Sequence, residues 1–285
     1  MNYLEPILLG IVQGLTEFIP VSSSGHLYVL PKIFSSSQFL SSTSFILFLH
    51  LGTLLALLIY YRVLIIKYIK VAFRYLKNRN PVGEDKKDTV IVRNILIATI
   101  PAGLIGLVVD KFLTNIYDNQ ITDKNIAFII VAIPMIIMGL LFIFEKSFIR
   151  NNKKSIEELD IKKSTYVGLS QALAFIRGTS RSGVTLLTGQ LNGLSRVSAA
   201  EFSFFISIPI ITASSLYETF QFLKDSSDFS KDLILAYLLG AIASFVVGLF
   251  AIDFLLKFLK NRSLAFFGYY RVYFGVFLIF LVIFK

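Results

Sequence analysis

Long runs of apolar residues, separated by stretches rich in basic or hydroxyl side chains, dominate this chain of 285 residues. A helix needs about 20 predominantly apolar residues to cross a bilayer, and somewhat fewer at the short end. Six runs qualify: Phe45–Tyr61, Asn94–Val109, Ile126–Phe144, Ala200–Phe220, Leu233–Leu256 and Val272–Phe284. The second contains Pro101, which membrane helices tolerate because neighbouring groups satisfy the freed backbone. The pattern predicts an all-α polytopic membrane protein with six spanning helices.

Composition agrees. Charged residues are 16% of the chain, against roughly 25% in soluble domains. There is no Cys and there are only two His, which excludes disulfide frameworks, thiolate zinc sites and cysteine nucleophiles. The net charge of +10 would suit a nucleic acid only if the basic residues formed one face. They sort by loop instead. Arg62–Arg93 carries nine Lys+Arg, Glu145–Lys163 six and Lys257–Arg271 four, whereas Asp110–Lys124 and Gln221–Asp232 carry two each. The positive-inside rule places the three richer loops in the cytoplasm, and every span then alternates direction. The charge is a topology signal, and no nucleic-acid partner is expected.

Two further segments hold apolar pieces too short to cross: Leu4–Ile19 with Leu27–Phe34, and Tyr166–Ile176 with Val184–Leu194. Each is expected to dip into the membrane and return, so the fold carries two re-entrant helical segments. A gapless shift of 158 residues aligns Gly10–Gly25 with Gly168–Gly183, and six of the sixteen positions are identical. Each dip precedes three spans, one set starting outside and the other inside. That is the signature of an inverted-topology repeat, whose broken helices meet near the bilayer midplane and bind ligands there. The expectation is one membrane domain over 1–285, built from halves of about 1–150 and 160–285.

Both dips end in hydroxyls and glycines at a helix start. The first runs from Gln13 through Glu17 to Pro20-Val21-Ser22-Ser23-Ser24-Gly25-His26; the second reads Arg177-Gly178-Thr179-Ser180-Arg181-Ser182-Gly183-Val184-Thr185. Free N–H groups at a helix start bind anions, and an arginine fork suits phosphate oxygens. Glu17, Ser23 and His26 add the makings of a nucleophile with a proton acceptor. Ser23 or His26 could attack phosphorus, while Glu17 handles the proton or helps to hold a divalent cation. Arg177 and Arg196 are expected at the cytoplasmic boundary, with Glu218 and Asp253 near span ends. His50 sits in an otherwise apolar span, and the sequence leaves its orientation open.

These two motifs resemble those of the undecaprenyl-diphosphate phosphatase family, also called bacitracin-resistance proteins, as does the run Ala200-Glu201-Phe202-Ser203-Phe204. The likeness covers essentially the whole chain, with two departures: Arg177 stands where the family has Pro, and Gln13 where many members have an acid. The resemblance implies hydrolysis of undecaprenyl diphosphate to the monophosphate and inorganic phosphate. That reaction recycles the lipid carrier of peptidoglycan synthesis on the outer face of the bacterial cytoplasmic membrane, and confers bacitracin resistance. Carried over by position, Glu17 is the catalytic acid/base, Ser23 and His26 compete as nucleophile, and Arg181 clamps the pyrophosphate. Gln13, Ser22, Ser24, Gly178, Ser180, Ser182 and Thr185 form the binding shell. Magnesium or calcium is the implied cofactor, with Glu17 as its ligand. The implied partners are a polyprenyl diphosphate lipid and the bilayer, with a homodimer left open. A transporter or flippase of phosphorylated lipids or anions is the alternative, and a phosphatase for another lipid phosphate a third.

Overall fold

A computed structural model describes residues 3–34, 38–78, 85–117, 121, 123–149, 153–225 and 230–284. Residues 1–2, 35–37, 79–84, 118–120, 122, 150–152, 226–229 and 285 lie outside the described residues. The described regular structure is helical: α1 Leu4–Phe18, α2 Ser23–Phe34, α3 Thr43–Tyr60, α4 Arg62–Asn78, α5 Asp85–Asn115, α6 Lys124–Ile143, α7 Glu145–Phe148, α8 Ile161–Ser170, α9 Arg181–Leu191, α10 Arg196–Asp225, α11 Lys231–Asn261 and α12 Ala265–Ile283. A 3-10 segment, Gln171–Phe175, extends α8.

Six of these helices are long and apolar enough to cross a membrane, and they coincide with the six expected runs. Two differences carry information. Residues 62–78, expected as part of a basic loop, form α4. The last span begins at Ala265, not Val272, so Arg271 lies inside a spanning helix and not in the loop to which it was assigned.

Helix starts follow ordinary capping chemistry. Ser42, Ser230 and Asp160 each accept a backbone N–H from the first turn of α3, α11 and α8. Polar side chains then tie elements together where the interior is dry. Ser244 Oγ donates to Leu49 O across α11 and α3 at 2.8 Å. Glu145, fully buried, accepts from Arg196 Nε at 2.9 Å and from Leu264 N at 3.2 Å, joining the starts of α7, α10 and α12.

Close approach of backbones sets the position of the two short hairpins. α1 packs on α11 where a side chain on Gly10 would run into Gly240 O, and α8 packs on α5 where one on Gly168 would run into Ala98 O. Small residues at such crossings are how membrane helices gain van der Waals contact. Gly168→Ala places a methyl against backbone that cannot move aside. We expect it to lower stability by roughly 1–3 kcal/mol, read as a lower thermal midpoint in detergent. An unchanged midpoint would mean that α8 and α5 do not pack this closely.

Candidate active site

The tips of the two hairpins are built alike. α1 ends at Phe18 because Ile19 precedes Pro20, and such a residue is held extended; its ψ is 132°. Ser22 then takes φ 77° and Ser180 takes φ 75°, the left-handed region that side chains other than glycine rarely adopt. Each of these serines caps the helix that follows. Gly25 N donates to Ser22 Oγ at 3.3 Å, and Gly183 N donates to Ser180 Oγ at 3.2 Å. Gly178, at φ 97°, lies so close to Val131 O that a Cβ would sit 2.5 Å from it.

The two tips meet. Arg181 Nη2, at the start of α9, donates to Glu17 Oε1, near the end of α1. Glu17 Oε2 accepts from Ser23 Oγ at 2.7 Å and from Gln13 Nε2 at 3.1 Å. A buried carboxylate holding an arginine and a serine hydroxyl is a charge-assisted network in a low-dielectric setting, where such bonds are strong. Arg181 Nη1 is buried with no partner among the described residues, a donor that a bound phosphate oxygen would satisfy.

A cavity of about 210 Å³ opens beside this pair. Glu17, Ser23 and Ser24 line it from one tip, and Ser180, Arg181 and Ser182 from the other. Ile210, Ile211 and Ser214 of α10 and Ala102 of α5 form apolar and small walls. Gln171 and His50 also line it, although neither belongs to the predicted set. Gln171 is buried and donates through Nε2 to Ala98 O at 3.0 Å. It stands 158 residues after Gln13, so the alignment of the tips pointed to it. His50 Nδ1 donates to Ile46 O at 2.9 Å, which leaves Nε2 3.7 Å from Glu17 Oε2. An imidazole in an apolar span was the only sequence signal for His50.

The remaining predicted residues support the site from outside the cavity. His26 is 3% exposed and is absent from the lining. Its Nδ1 donates to Ser22 O at 2.7 Å, its Nε2 lies 2.6 Å from Tyr270 Oη, and its ring stacks on Phe274. With both nitrogens engaged, His26 holds the backbone of Ser22. Thr185 Oγ1 donates to Arg181 O at 2.8 Å and lies 2.6 Å from Ser203 Oγ, fixing α9 against α10. Gln13, Ser22 and Gly178 shape the tips.

Arg177 meets the first half of the chain: its guanidinium lies 4.1 Å from the Tyr28 ring of α2 and 4.6 Å from that of Tyr117. Arg271 is the residue that sequence reasoning missed. It is fully buried and donates from Nη1 to Pro20 O at 3.1 Å, and from Nη2 to Gly178 O at 2.7 Å and Thr179 O at 3.0 Å. One guanidinium on α12 therefore clasps the backbones of both tips.

Comparison with known proteins decides the family. Residues 6–277 match the model of the bacitracin resistance protein BacA family. The chain belongs to this family. Among curated relatives, the undecaprenyl-diphosphatase of Enterococcus faecalis is 37% identical, with 98% of this chain and 96% of the relative covered. The undecaprenyl-diphosphatase of Prochlorococcus marinus is also 37% identical, with coverage of 98% and 99%. That of Sulfurihydrogenibium sp. is 34% identical, with coverage of 97% and 98%.

Proposed function

We propose that this BacA-family protein hydrolyses undecaprenyl diphosphate to undecaprenyl phosphate and inorganic phosphate. It thereby recycles the lipid carrier of peptidoglycan synthesis and counters bacitracin, which acts by sequestering the diphosphate. The observation that carries the reading is the contact of Ser23 and Arg181 with the two oxygens of one buried carboxylate, Glu17, at a cavity wall.

Ser23 is the nucleophile and Glu17 the proton carrier. Ser23 Oγ attacks the terminal phosphorus as Glu17 takes its proton, and the bond from that phosphorus to the bridging oxygen breaks. The departing undecaprenyl phosphate receives the proton from Glu17. Water then attacks the phosphoserine, giving one proton to Glu17, which passes it to Ser23 Oγ as inorganic phosphate leaves. Arg181, the hydroxyls of Ser24, Ser180 and Ser182, and the free N–H groups at the starts of α2 and α9 face the developing charge. His26 and Thr185 act through the backbones that they hold.

A divalent cation, magnesium or calcium, fits only if shared with the substrate. Glu17 is the one carboxylate lining the cavity, and no cluster of three His, Cys, Asp or Glu occurs among the described residues. Magnesium typically takes one or two carboxylates together with substrate phosphates. Glu17 would hold it here, and the ion would supply charge neutralisation on the diphosphate.

We read the two hairpins as re-entrant. α1 has 15 residues and α2 has 12, and helices of about 20 are needed to cross. The packing supports an inverted repeat. α1 lies on α11 as α8 lies on α5, α3 on α11 as α10 on α5, and α3 pairs with α10 as α6 pairs with α12. Exchanging each element for its counterpart leaves that set unchanged. A cavity of about 210 Å³ suits the diphosphate head while the polyprenyl tail stays in the bilayer. We place the protein in the bacterial cytoplasmic membrane with its site reached from the outer face.

The test is phosphate release from undecaprenyl diphosphate by detergent-solubilised protein with the divalent ion supplied. Ser23→Ala should lower turnover by roughly 10²–10⁴-fold with a thermal midpoint close to wild type; Glu17→Gln should lower turnover as far and also lower the midpoint, because Arg181 loses its buried counter-charge. A protein that moves the lipid between leaflets of vesicles yet releases no phosphate would be the transporter of the alternative reading.

A further inference from the structure

Helix α4 has three faces, and among the described residues one of them packs on the apolar core. Val71 is 2% exposed, and Leu64, Ile65 and Tyr68 pack on the core, with the Tyr68 ring edge-on to Phe205 of α10. The outward side carries Ile66, Ile69 and Phe73, which are 53%, 51% and 71% exposed. Their spacing of three and four residues lines them up as one apolar stripe on a helix. Each is followed at once by a cation, Lys67, Lys70 and Arg74, and Lys77 continues that second stripe one turn further. All four cations are exposed, and Lys67 also pairs with Asp88 at 2.8 Å. The seventeen residues of α4 contain no Asp or Glu.

An apolar stripe bordered by a cationic stripe is the arrangement of helices that lie in the plane of a bilayer surface. The height of α4 fits, because it begins one residue after the spanning helix α3 ends. A soluble partner would have to cover three large apolar side chains beside the end of a spanning helix, and a purely zwitterionic surface would offer no net charge to Lys70 and Lys77. We infer that α4 is a docking surface for anionic phospholipid. Ile66, Ile69 and Phe73 enter the acyl layer, and Lys70, Arg74 and Lys77 hold phosphate head groups above them. No part of this depends on the hydrolytic reading, since α4 contributes nothing to the cavity.

The chain has no tryptophan, so Phe73→Trp installs a single fluorescent reporter on the apolar stripe of the full-length protein. Reconstituted in phosphatidylcholine bilayers, the reporter should be quenched by lipids brominated near the head of the acyl chain. Brominated phosphatidylglycerol should quench at least fivefold more effectively than brominated phosphatidylcholine, each basic residue near a surface adding roughly that factor. High salt should erase the difference, and so should adding Lys70→Glu with Lys77→Glu. Phosphate release in detergent, unchanged in all these variants, verifies that they fold. Equal quenching by the two lipids would overturn the inference. So would a preference that survives the charge reversals, or a reporter that neither lipid quenches, as expected if water, a second copy or a soluble partner covers α4.

Discussion

Arg181→Lys lowers kcat/KM for phosphate release by roughly 10²–10³-fold, the usual effect of losing a donor aimed at developing charge, while the thermal midpoint stays near that of wild type. Arg181 uses one nitrogen on Glu17 and keeps another buried and unpartnered beside the cavity. A guanidinium can therefore hold the carboxylate and meet a phosphate oxygen at once. A lysine ammonium is a point charge on a flexible stem and cannot span both with fixed geometry. It preserves the ion pair, which is why folding survives, and loses the donor that faces substrate. Steady-state kinetics on purified protein decide this: a variant with near-normal kcat/KM would show that Arg181 does not touch the diphosphate.

The second large effect is expected at a residue behind the two tips, outside the cavity lining. Arg271→Met should lower stability by roughly 3–5 kcal/mol, because it strips a buried network of its charged donor. Three carbonyls, those of Pro20, Gly178 and Thr179, lose their bonds to this side chain together. Activity should fall by about 100-fold or more even at temperatures where the variant is folded, since a displacement near 1 Å at reacting groups has that effect. Thermal unfolding and phosphate release are to be measured on the same preparation. Arg271→Lys should recover only part of either quantity, because one ammonium cannot reach both tips. A Met variant that is as stable and as active as wild type would mean that the tips hold together without the clasp.

How legible these features were in sequence depends on the scale of the interaction. Six spans could be read because a run such as Ile126–Phe144 announces its burial through every residue. The two tips were legible through their composition, and Glu17 and Arg181 through the rarity of charge in such surroundings. Convergence was expected only through the repeat, whose broken helices meet; nothing local to Glu17 says that its partner is 164 positions away. Arg271 was counted with the loop cations because hydropathy cannot distinguish a charge bound by backbone carbonyls from one in water. The same accounting hid α4, whose lysines break the apolar run while leaving its helical spacing intact. His26 shows the converse. A histidine beside a serine run suggested chemistry, yet its two nitrogens are taken by Ser22 O and Tyr270.

Positions 23 and 181 each follow a capping serine of the same backbone shape, one bearing a hydroxyl and the other a guanidinium. Two identical half-length polypeptides facing one another would carry the same side chain at both places, giving either paired attackers with nothing to grip the anion or paired grips with no attacker. In the inverted-repeat reading proposed above, a single chain holding both halves is free of that constraint, and a hydroxyl at position 23 can stand beside a guanidinium at position 181.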